Sequence, residues 1–313
     1  MPSEQKPIGS GFTRDTTAEQ ALGRPDMRGV NVVITGASAG IGVETARVLA
    51  NAGATVIAAV RAPERARAAL NGLPNVEIET LELSDPASID AFAEGFLASA
   101  RPLHLLINNA GVMAIPQARD GRGNELQFST NHLGHFQLTA RLWPALKRAQ
   151  GARVVALSSG AHRRSPVVFE DVNYTRRAYD KWQAYGQSKT ANSLFAVELD
   201  ARGEKDGVRA FAVHPGVIPG TELQRSLTAE DRAGVTAIGG AKTVPQGAAT
   251  TVWCATAPQL AGKGGVYCED VEIAEAAAAD KASPGGVRPW AIDRGAARQL
   301  WALSETMTGV QLP

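Results

Sequence analysis

Tyr185 and Lys189 stand four residues apart in the run Ala184-Tyr-Gly-Gln-Ser-Lys-Thr-Ala-Asn, at the start of a long helical pattern. That spacing puts both side chains on one helix face. The chemistry such a pair offers is proton transfer. A free phenol, with a pKa near ~10, holds its proton too tightly to exchange it at neutral pH. A neighbouring ammonium favours the phenolate and lowers that value. Tyrosine and lysine meet at this spacing by chance on many helices, so the pair gains meaning only from its surroundings.

Those surroundings are polar groups at the ends of apolar runs. Ser158-Ser159 close the run from Arg153, Asn108-Asn109-Ala110-Gly111 close the run from Leu103, and His214-Pro215-Gly216 close the run from Val208. Asn131 falls in a helical stretch between them. Directly after the first apolar run, Asn31–Thr35, comes Gly36-Ala37-Ser38-Ala39-Gly40-Ile41-Gly42, followed by a helix with apolar Val43, Ala46, Leu49 and Ala50. Glycines at 36, 40 and 42 allow positive φ and close backbone approach to a pyrophosphate, which a helix N-terminus attracts through its free N–H groups. The second run ends Ala58-Ala59-Val60-Arg61, without the carboxylate that would hold the ribose 2′-hydroxyl of NAD. Arg61 is suited instead to a 2′-phosphate, with Ser38 as a neutral partner. The cofactor expected is NADP, with NAD as the alternative.

The elements that must position these groups alternate. Strand-like runs occur at Asn31–Thr35, Ala54–Val60, Val76–Leu83, Leu103–Asn108, Arg153–Ser158, Val208–His214 and Gly265–Cys268, with helical patterns between them. Most are short and free of charge, as strands buried on both faces require. Alternation of this kind predicts an α/β fold: one doubly wound, Rossmann-type domain over 29–269 with a seven-stranded parallel sheet flanked by helices. Such sheets bind ligands at the carboxyl ends of their strands. Asp85-Pro86 and Thr243-x-x-Gln246 read as helix starts. Residues 1–28, with a capping pattern Thr16-x-x-Glu19, and residues 270–313, closing with a helix from Asp293 to Met307 stopped near Gly309, read as extensions packed on the domain.

Composition removes other classes. The 32 basic and 31 acidic residues leave a formal charge of +1 and no basic stripe, so nucleic acid is not an expected partner. Cys254 and Cys268 lack metal or disulfide-framework spacing. His132 and His135 have no carboxylate or thiol beside them to complete a metal site, and read as packing residues. The opening segment lacks the basic-then-apolar pattern of a signal peptide, and no apolar stretch reaches the ~18 residues of a membrane span. The expected setting is the cytoplasm.

Taken in order, TGASAGIG, NNAG, Asn131, the serine pair, Tyr-x-x-x-Lys and Pro215-Gly216 resemble the short-chain dehydrogenase/reductase family, over about residues 29–268. The run AYGQSKTANSLFAVEL, the long serine-to-tyrosine insertion and the N-terminal extension are similar to the subgroup of retinol dehydrogenases and WW-domain oxidoreductases. The resemblance implies that Tyr185 is the general acid or base, that Lys189 binds the nicotinamide ribose and lowers the tyrosine pKa, that Ser159 polarises the substrate oxygen, and that Asn131 holds a relay water. With Gly36, Gly40, Ile41 and Gly42 at the pyrophosphate and Ser38 beside Arg61, it places Glu82, Leu83, Asn108, Ala110 and Gly111 on the adenosine and ribose side. Pro215, Gly216, Val217 and Thr221 go to the nicotinamide end. Three departures stand out. Glu82 occupies the place of an aspartate, the spacing from Gly216 to Thr221 is lengthened, and 26 positions separate Ser159 from Tyr185.

That insertion is expected to form a substrate-side loop. The pocket residues expected are Val112, Met113, Ile115, Val167, Tyr179, Trp182, Val217 and Ile218, largely apolar. They suit a hydrophobic aldehyde, ketone or secondary alcohol, turned over by an NADPH-dependent carbonyl reductase or alcohol dehydrogenase. A nucleotide-binding sensor or scaffold without turnover is the alternative, and an isomerase or lyase with tightly held cofactor a third reading. The resemblance implies a homodimer or homotetramer, paired through the helices beginning near Asn124 and Tyr185; extensions that covered those faces would leave a monomer.

Overall fold

Burial on both faces accounts for the central sheet. The computed structural model describes residues 3–237, 239–278 and 285–312. In chain order it contains β1 (Asn31–Thr35), α1 (Gly40–Asn51), β2 (Thr55–Val60), α2 (Pro63–Ala69), β3 (Val76–Thr80), α3 (Pro86–Ala98) and β4 (Leu105–Asn108). A short α4 (Leu126–Phe128), α5 (Gly134–Arg148), β5 (Arg153–Leu157), α6 (Lys181–Gly203) and β6 (Arg209–His214) follow. The chain then forms α7 (Ala229–Ala237), α8 (Val244–Thr256), β7 (Val266–Glu269), β8 (Glu272–Ile273) and α9 (Arg294–Thr308). Alternate strand residues supply two apolar layers. Val33, Leu106 and Val154 pack toward Phe92, Phe136 and Phe195 of α3, α5 and α6. Val32, Ile34 and Val155 pack toward Leu49 and Trp253 of α1 and α8.

The strands are ordered β3-β2-β1-β4-β5-β6-β7-β8. The pairings from β1 to β7 are parallel, as expected, and a short eighth strand, β8, turns back antiparallel on β7. Strand order reverses between β1 and β4, which opens a crevice at their carboxyl ends. The register brings Thr35, Asn108, Leu157, His214 and Glu269 to that one edge of the sheet.

Three local features bear on the site. Between α4 and α5 the helix widens into a π turn, Ser129–Leu133, which carries Asn131. Asp85 and Thr243 cap α3 and α8 as their sequences predict, the latter with both halves of a capping box. Asp293 caps α9, and Gly309, at φ +69°, ends it. That helix lies along α6: Trp301 stacks on Phe195 at 6.0 Å and meets Phe136 edge-on at 5.0 Å. It therefore occupies part of the α6 face through which pairing was expected.

In the segment before β1, Ala18, Ala21 and Met27 are buried. Positions 1–2, 279–284 and 313 lie outside the described residues. No helix starts at Thr16. The reciprocal bonds form one residue later, where Thr17 N–H donates to Gln20 Oε1 at 2.9 Å, because Glu19 is drawn to Arg47 at 2.8 Å.

Candidate active site

A cavity of about 790 Å³ runs along the carboxyl ends of the central strands. At one end the glycine loop leaves β1. Gly36 has φ +73°, and a Cβ there would come within 2.9 Å of Ala110. A Cβ on Gly42 would stand 2.5 Å from the Gly36 carbonyl oxygen. Only glycine therefore allows the turn and the close entry into α1. The N-cap of α1 is Ala39, which has no side chain to satisfy the first-turn amides. An uncapped helix N-terminus facing a cavity fits a pyrophosphate. Ser38, Gly40, Ile41, Arg61, Glu82 and Leu83 line this end, and Ala110, Gly111, Pro215, Gly216, Val217 and Thr221 continue the wall. Despite its lengthened spacing, Thr221 sits against Gly40, its methyl 3.6 Å from a Cβ built there.

One residue at this end is placed differently from expectation. Asn108 shares a face of β4 with Leu106, so its carboxamide turns toward α5 and donates to Thr139 at 3.2 Å, away from the cavity. The next residue does the bracing: Asn109 Nδ2 donates to the Thr35 carbonyl at 2.7 Å, and its N–H to Thr35 Oγ1 at 2.9 Å. Glu82 Oε1 is taken by the Ser84 N–H and hydroxyl, while Oε2 stands 3.8 Å from Arg61 Nε. The Arg61 side chain is otherwise open to solvent, 67% exposed.

Tyr185 and Lys189 come from the first two turns of α6, and both line the cavity. Lys189 Nζ donates to the Leu157 carbonyl at 2.8 Å and lies 5.6 Å from the Tyr185 ring centre. Burial pushes the lysine down to about 7. It pushes the tyrosine up to about 12, opposed by a hydrogen bond to Ser159. Desolvation, which disfavours both charged forms, dominates at both groups, and what opposes it at the phenol is the Ser159 hydrogen bond. Ser159 faces the cavity and accepts the Ala161 N–H at 3.1 Å. Ser158 is held behind it, donating to the Lys189 carbonyl at 2.8 Å and accepting from Ser193. Successive strand-end residues point opposite ways, which separates the two serines.

Asn131 does not line the cavity. Its Oδ1 accepts the Val112 N–H at 2.8 Å, and Nδ2 donates to the Val112 carbonyl and Ser188 Oγ, both at 2.9 Å. Its own carbonyl accepts from His135 Nδ1 at 2.9 Å. That bond fixes the proton on Nδ1, so Nε2 accepts from the Thr35 hydroxyl at 2.8 Å. Asn131 thus ties the loop after β4 to α6, and His135 ties the π turn to the end of β1.

Beyond Tyr185 the wall is apolar: Met113, Trp182, Val217, Ile218, Leu223 and Val235. Of the other residues expected there, Val167 packs with Leu300 under α9, and the Tyr179 hydroxyl donates to the Ile115 carbonyl, so none of the three lines the cavity. The serine-to-tyrosine insertion is likewise not a substrate loop throughout. Its first turn, Gly160–Arg164, and Trp182 at its far end reach the cavity, while Phe169 and Val172 between them pack toward α9. Sequence reasoning missed Asp231 of α7, which takes Lys181 Nζ at 2.5 Å and the Trp182 indole N–H at 3.2 Å. Among the described residues, no trio of His, Cys, Asp or Glu is arranged to hold a metal, and no helix is long and apolar enough to cross a membrane.

Comparison with known proteins adds to this geometry. Residues 30–232 match the family described as short chain dehydrogenase. A probable oxidoreductase from Streptomyces antibioticus is 43% identical over 292 residues, covering 88% of this chain and 96% of that one. Human retinol dehydrogenase 12 is 40% identical over 286 residues, covering 90% and 86%. Human WW domain-containing oxidoreductase is 38% identical over 309 residues, covering 95% and 72%. Among solved structures, an uncharacterized protein from Mycobacterium paratuberculosis superposes with a TM-score of 0.75 at 36% identity, covering 94% of this chain and 98% of that one.

Proposed function

This chain belongs to the short-chain dehydrogenase family, and from that premise we propose that it is an NADPH-dependent carbonyl reductase or alcohol dehydrogenase acting on a hydrophobic aldehyde, ketone or secondary alcohol. One observation carries the reading: a single cavity joins the uncapped start of α1, with Arg61 beside it, to the Tyr185 hydroxyl and Ser159.

The glycine loop and the α1 amides would hold the pyrophosphate, and Arg61 the 2′-phosphate that distinguishes NADPH. Bound there, the nicotinamide supplies the hydride in reduction and accepts it in oxidation. The protein's own task is the proton and the charge. A carbonyl oxygen placed between Ser159 and Tyr185 accepts a hydrogen bond from each. Tyr185 then gives up its proton as negative charge develops on that oxygen, and Ser159 stabilises the charge. Lys189, held near about 7 by burial, is partly protonated at neutral pH, and its ammonium offsets the charge left on the phenol. Asn131 positions the loop at Val112. A relay water at Asn131 would use the second lone pair of its carbonyl, His135 occupying the first.

Met113, Trp182 and Leu223 supply the apolar surface a hydrophobic substrate needs. The setting we assign is the cytoplasm, and because α9 lies along α6 we assign a monomer in place of the expected dimer or tetramer. Mixing the protein with NADPH or NADH and a panel of hydrophobic aldehydes and ketones, and following nicotinamide absorbance, tests the activity. Turnover with NADPH that disappears in Tyr185→Phe supports it. Tight NADPH binding with no turnover across the panel favours the sensor reading, and absence of binding to either cofactor overturns both.

A further inference from the structure

The wall facing the apolar substrate surface is built differently. It is formed by the carboxyl ends of β6 and β7 and by the turn after Ser159, and it carries His214, Arg163, Lys242, Glu269 and Asp270. His214 Nδ1 accepts the N–H groups of Gly160 at 3.1 Å and Gly216 at 3.3 Å. Those bonds require an unprotonated Nδ1, so the ring is neutral and carries its proton on Nε2. Burial, with the charges of Arg163 and Lys242, holds the imidazole well below its ordinary pKa. Among the described residues Nε2 meets no acceptor.

Arg163 spends Nε and Nη2 on the Gly286 carbonyl, at 3.2 and 3.1 Å, and Nη2 also on Glu269 at 3.2 Å. Its Nη1 has no hydrogen-bond partner among the described residues. A Cβ built on Gly160 would lie 3.0 Å from that Nη1 and 3.1 Å from His214 Nε2. Two unspent donors therefore flank one gap, one residue past Ser159, and the gap is open because position 160 is glycine. Behind them the Lys242 stem lies against Gly216, its side chain 2% exposed, with Nζ 2.6 Å from Asp270 Oδ1.

We propose that this wall binds a carboxylate on the substrate, held by Arg163 Nη1 and His214 Nε2, so that the protein acts on hydrophobic carbonyl or alcohol compounds bearing an acid group. The proposal rests on the oxidoreductase reading above and names its substrate class. Donors without acceptors call for an acceptor, and a guanidinium beside an N–H suits the two oxygens of a carboxylate. Charge supports a monoanion over a phosphate dianion. On this wall Glu269 and Asp270 already balance Arg163 and Lys242, which leaves Arg164, stacked on Trp182, as the positive charge of the Gly160–Arg164 turn with no ion pair among the described residues. The apolar residues opposite would take the hydrocarbon portion.

The test is calorimetric titration of the full chain with decanoate, decanamide and decanol, with and without NADP, beside turnover of decanal and of the ω-oxo derivative of decanoate. The expected result is decanoate binding about 10-fold tighter than decanol, and kcat/KM favouring the oxo acid by a similar factor. Arg163→Gln should remove most of the decanoate preference and leave decanol binding within about 2-fold. Gly160→Ala should do the same by filling the gap while keeping the Arg163–Glu269 pair, so the result does not hang on one variant. Equal binding of decanoate and decanol by the unmodified protein overturns the proposal, as does decanamide matching decanoate, or equal weakening of acid and alcohol in both variants. Absence of NADPH binding and of decanal turnover would instead strike the oxidoreductase reading, whatever the titrations show.

Discussion

His135 Nε2 lies 2.8 Å from Thr35 Oγ1, so a side chain of α5 fastens the end of the strand from which the glycine loop departs. The same threonine oxygen accepts the backbone N–H groups of Asn109 and Ala110, each at 2.9 Å. One neutral imidazole thereby holds β1, the loop after β4 and the π turn in a common geometry.

That geometry is sensitive to acid. Burial lowers His135 to about 4 and the neighbouring His132 to about 3. The unfolded chain takes up these protons below ~6.5 while the folded one does not, so stability falls as pH drops from that value. Each ring forfeits about 1.4 kcal/mol per pH unit across the window. The urea midpoint should decline steadily from pH 7 to pH 5, and the ring proton resonances of both histidines should not titrate over that range. A flat midpoint with titrating resonances refutes this.

Lys189 carries the opposite trade. Its amine, lowered from 10.5 to about 7, remains neutral in the fold across a window where the unfolded chain is protonated, so stability rises with pH between those values. Lys189→Met removes the penalty and leaves the Leu157 carbonyl accepting from Asn192. The variant should melt at least about 3 °C higher at pH 7, with the gain shrinking toward pH 10, while activity falls about 100-fold or more. Thermal scans at the two pH values decide it.

Arg61→Ala should lower kcat/KM with NADPH about 10- to 100-fold, the worth of a charged hydrogen bond of ~1.5–3 kcal/mol, and leave the NADH value nearly unchanged. Steady-state rates with both cofactors give the ratio. Equal losses for the two would assign the 2′-phosphate contact elsewhere.

Helix α7 has no buried residue of its own and is joined to α6 through Asp231. Asp231→Asn should raise KM for a hydrophobic carbonyl about 3- to 10-fold with little change in kcat, and speed amide exchange over 229–237. Unchanged exchange would show that the contact does not anchor the helix.

Trp301→Ala, by removing the ring stacked on Phe195, should cost about 3–5 kcal/mol, read from urea unfolding. The intact chain should elute as a monomer in sizing chromatography, and removal of α9 should make it self-associate through the uncovered α5 and α6 surface. A dimer of the intact chain that persists without α9 would place the pairing surface elsewhere.

Much of this arrangement was legible in the sequence because it depends on local pattern. Apolar runs with at most one arginine at the start revealed β1, β4, β5 and β6, and glycines between a run and a helix revealed the phosphate loop. The missing parts depend on long-range geometry. Whether Asn108 or Asn109 faces the cavity turns on the pleat of β4, which an adjacent pair of identical residues does not declare. Asp231 meets Trp182 from a separate helix 49 positions away, and no periodicity encodes such a meeting. The tyrosine and lysine were found by spacing, but their proton affinities follow from burial, which spacing does not report.

Gln5 accepts the Tyr267 N–H at 2.8 Å and donates to the Tyr267 and Ala274 carbonyls at 2.8 and 2.7 Å, while Glu272 takes the N–H groups of Ile8 and Ser10. These partners are separated by more than 260 positions. On the ribosome, at roughly 5–20 residues per second, such an interval is many seconds of synthesis. Residues 5–10 therefore emerge long before the strands they clasp exist. Their docking has to wait for those strands, and it closes a loop of more than 260 residues.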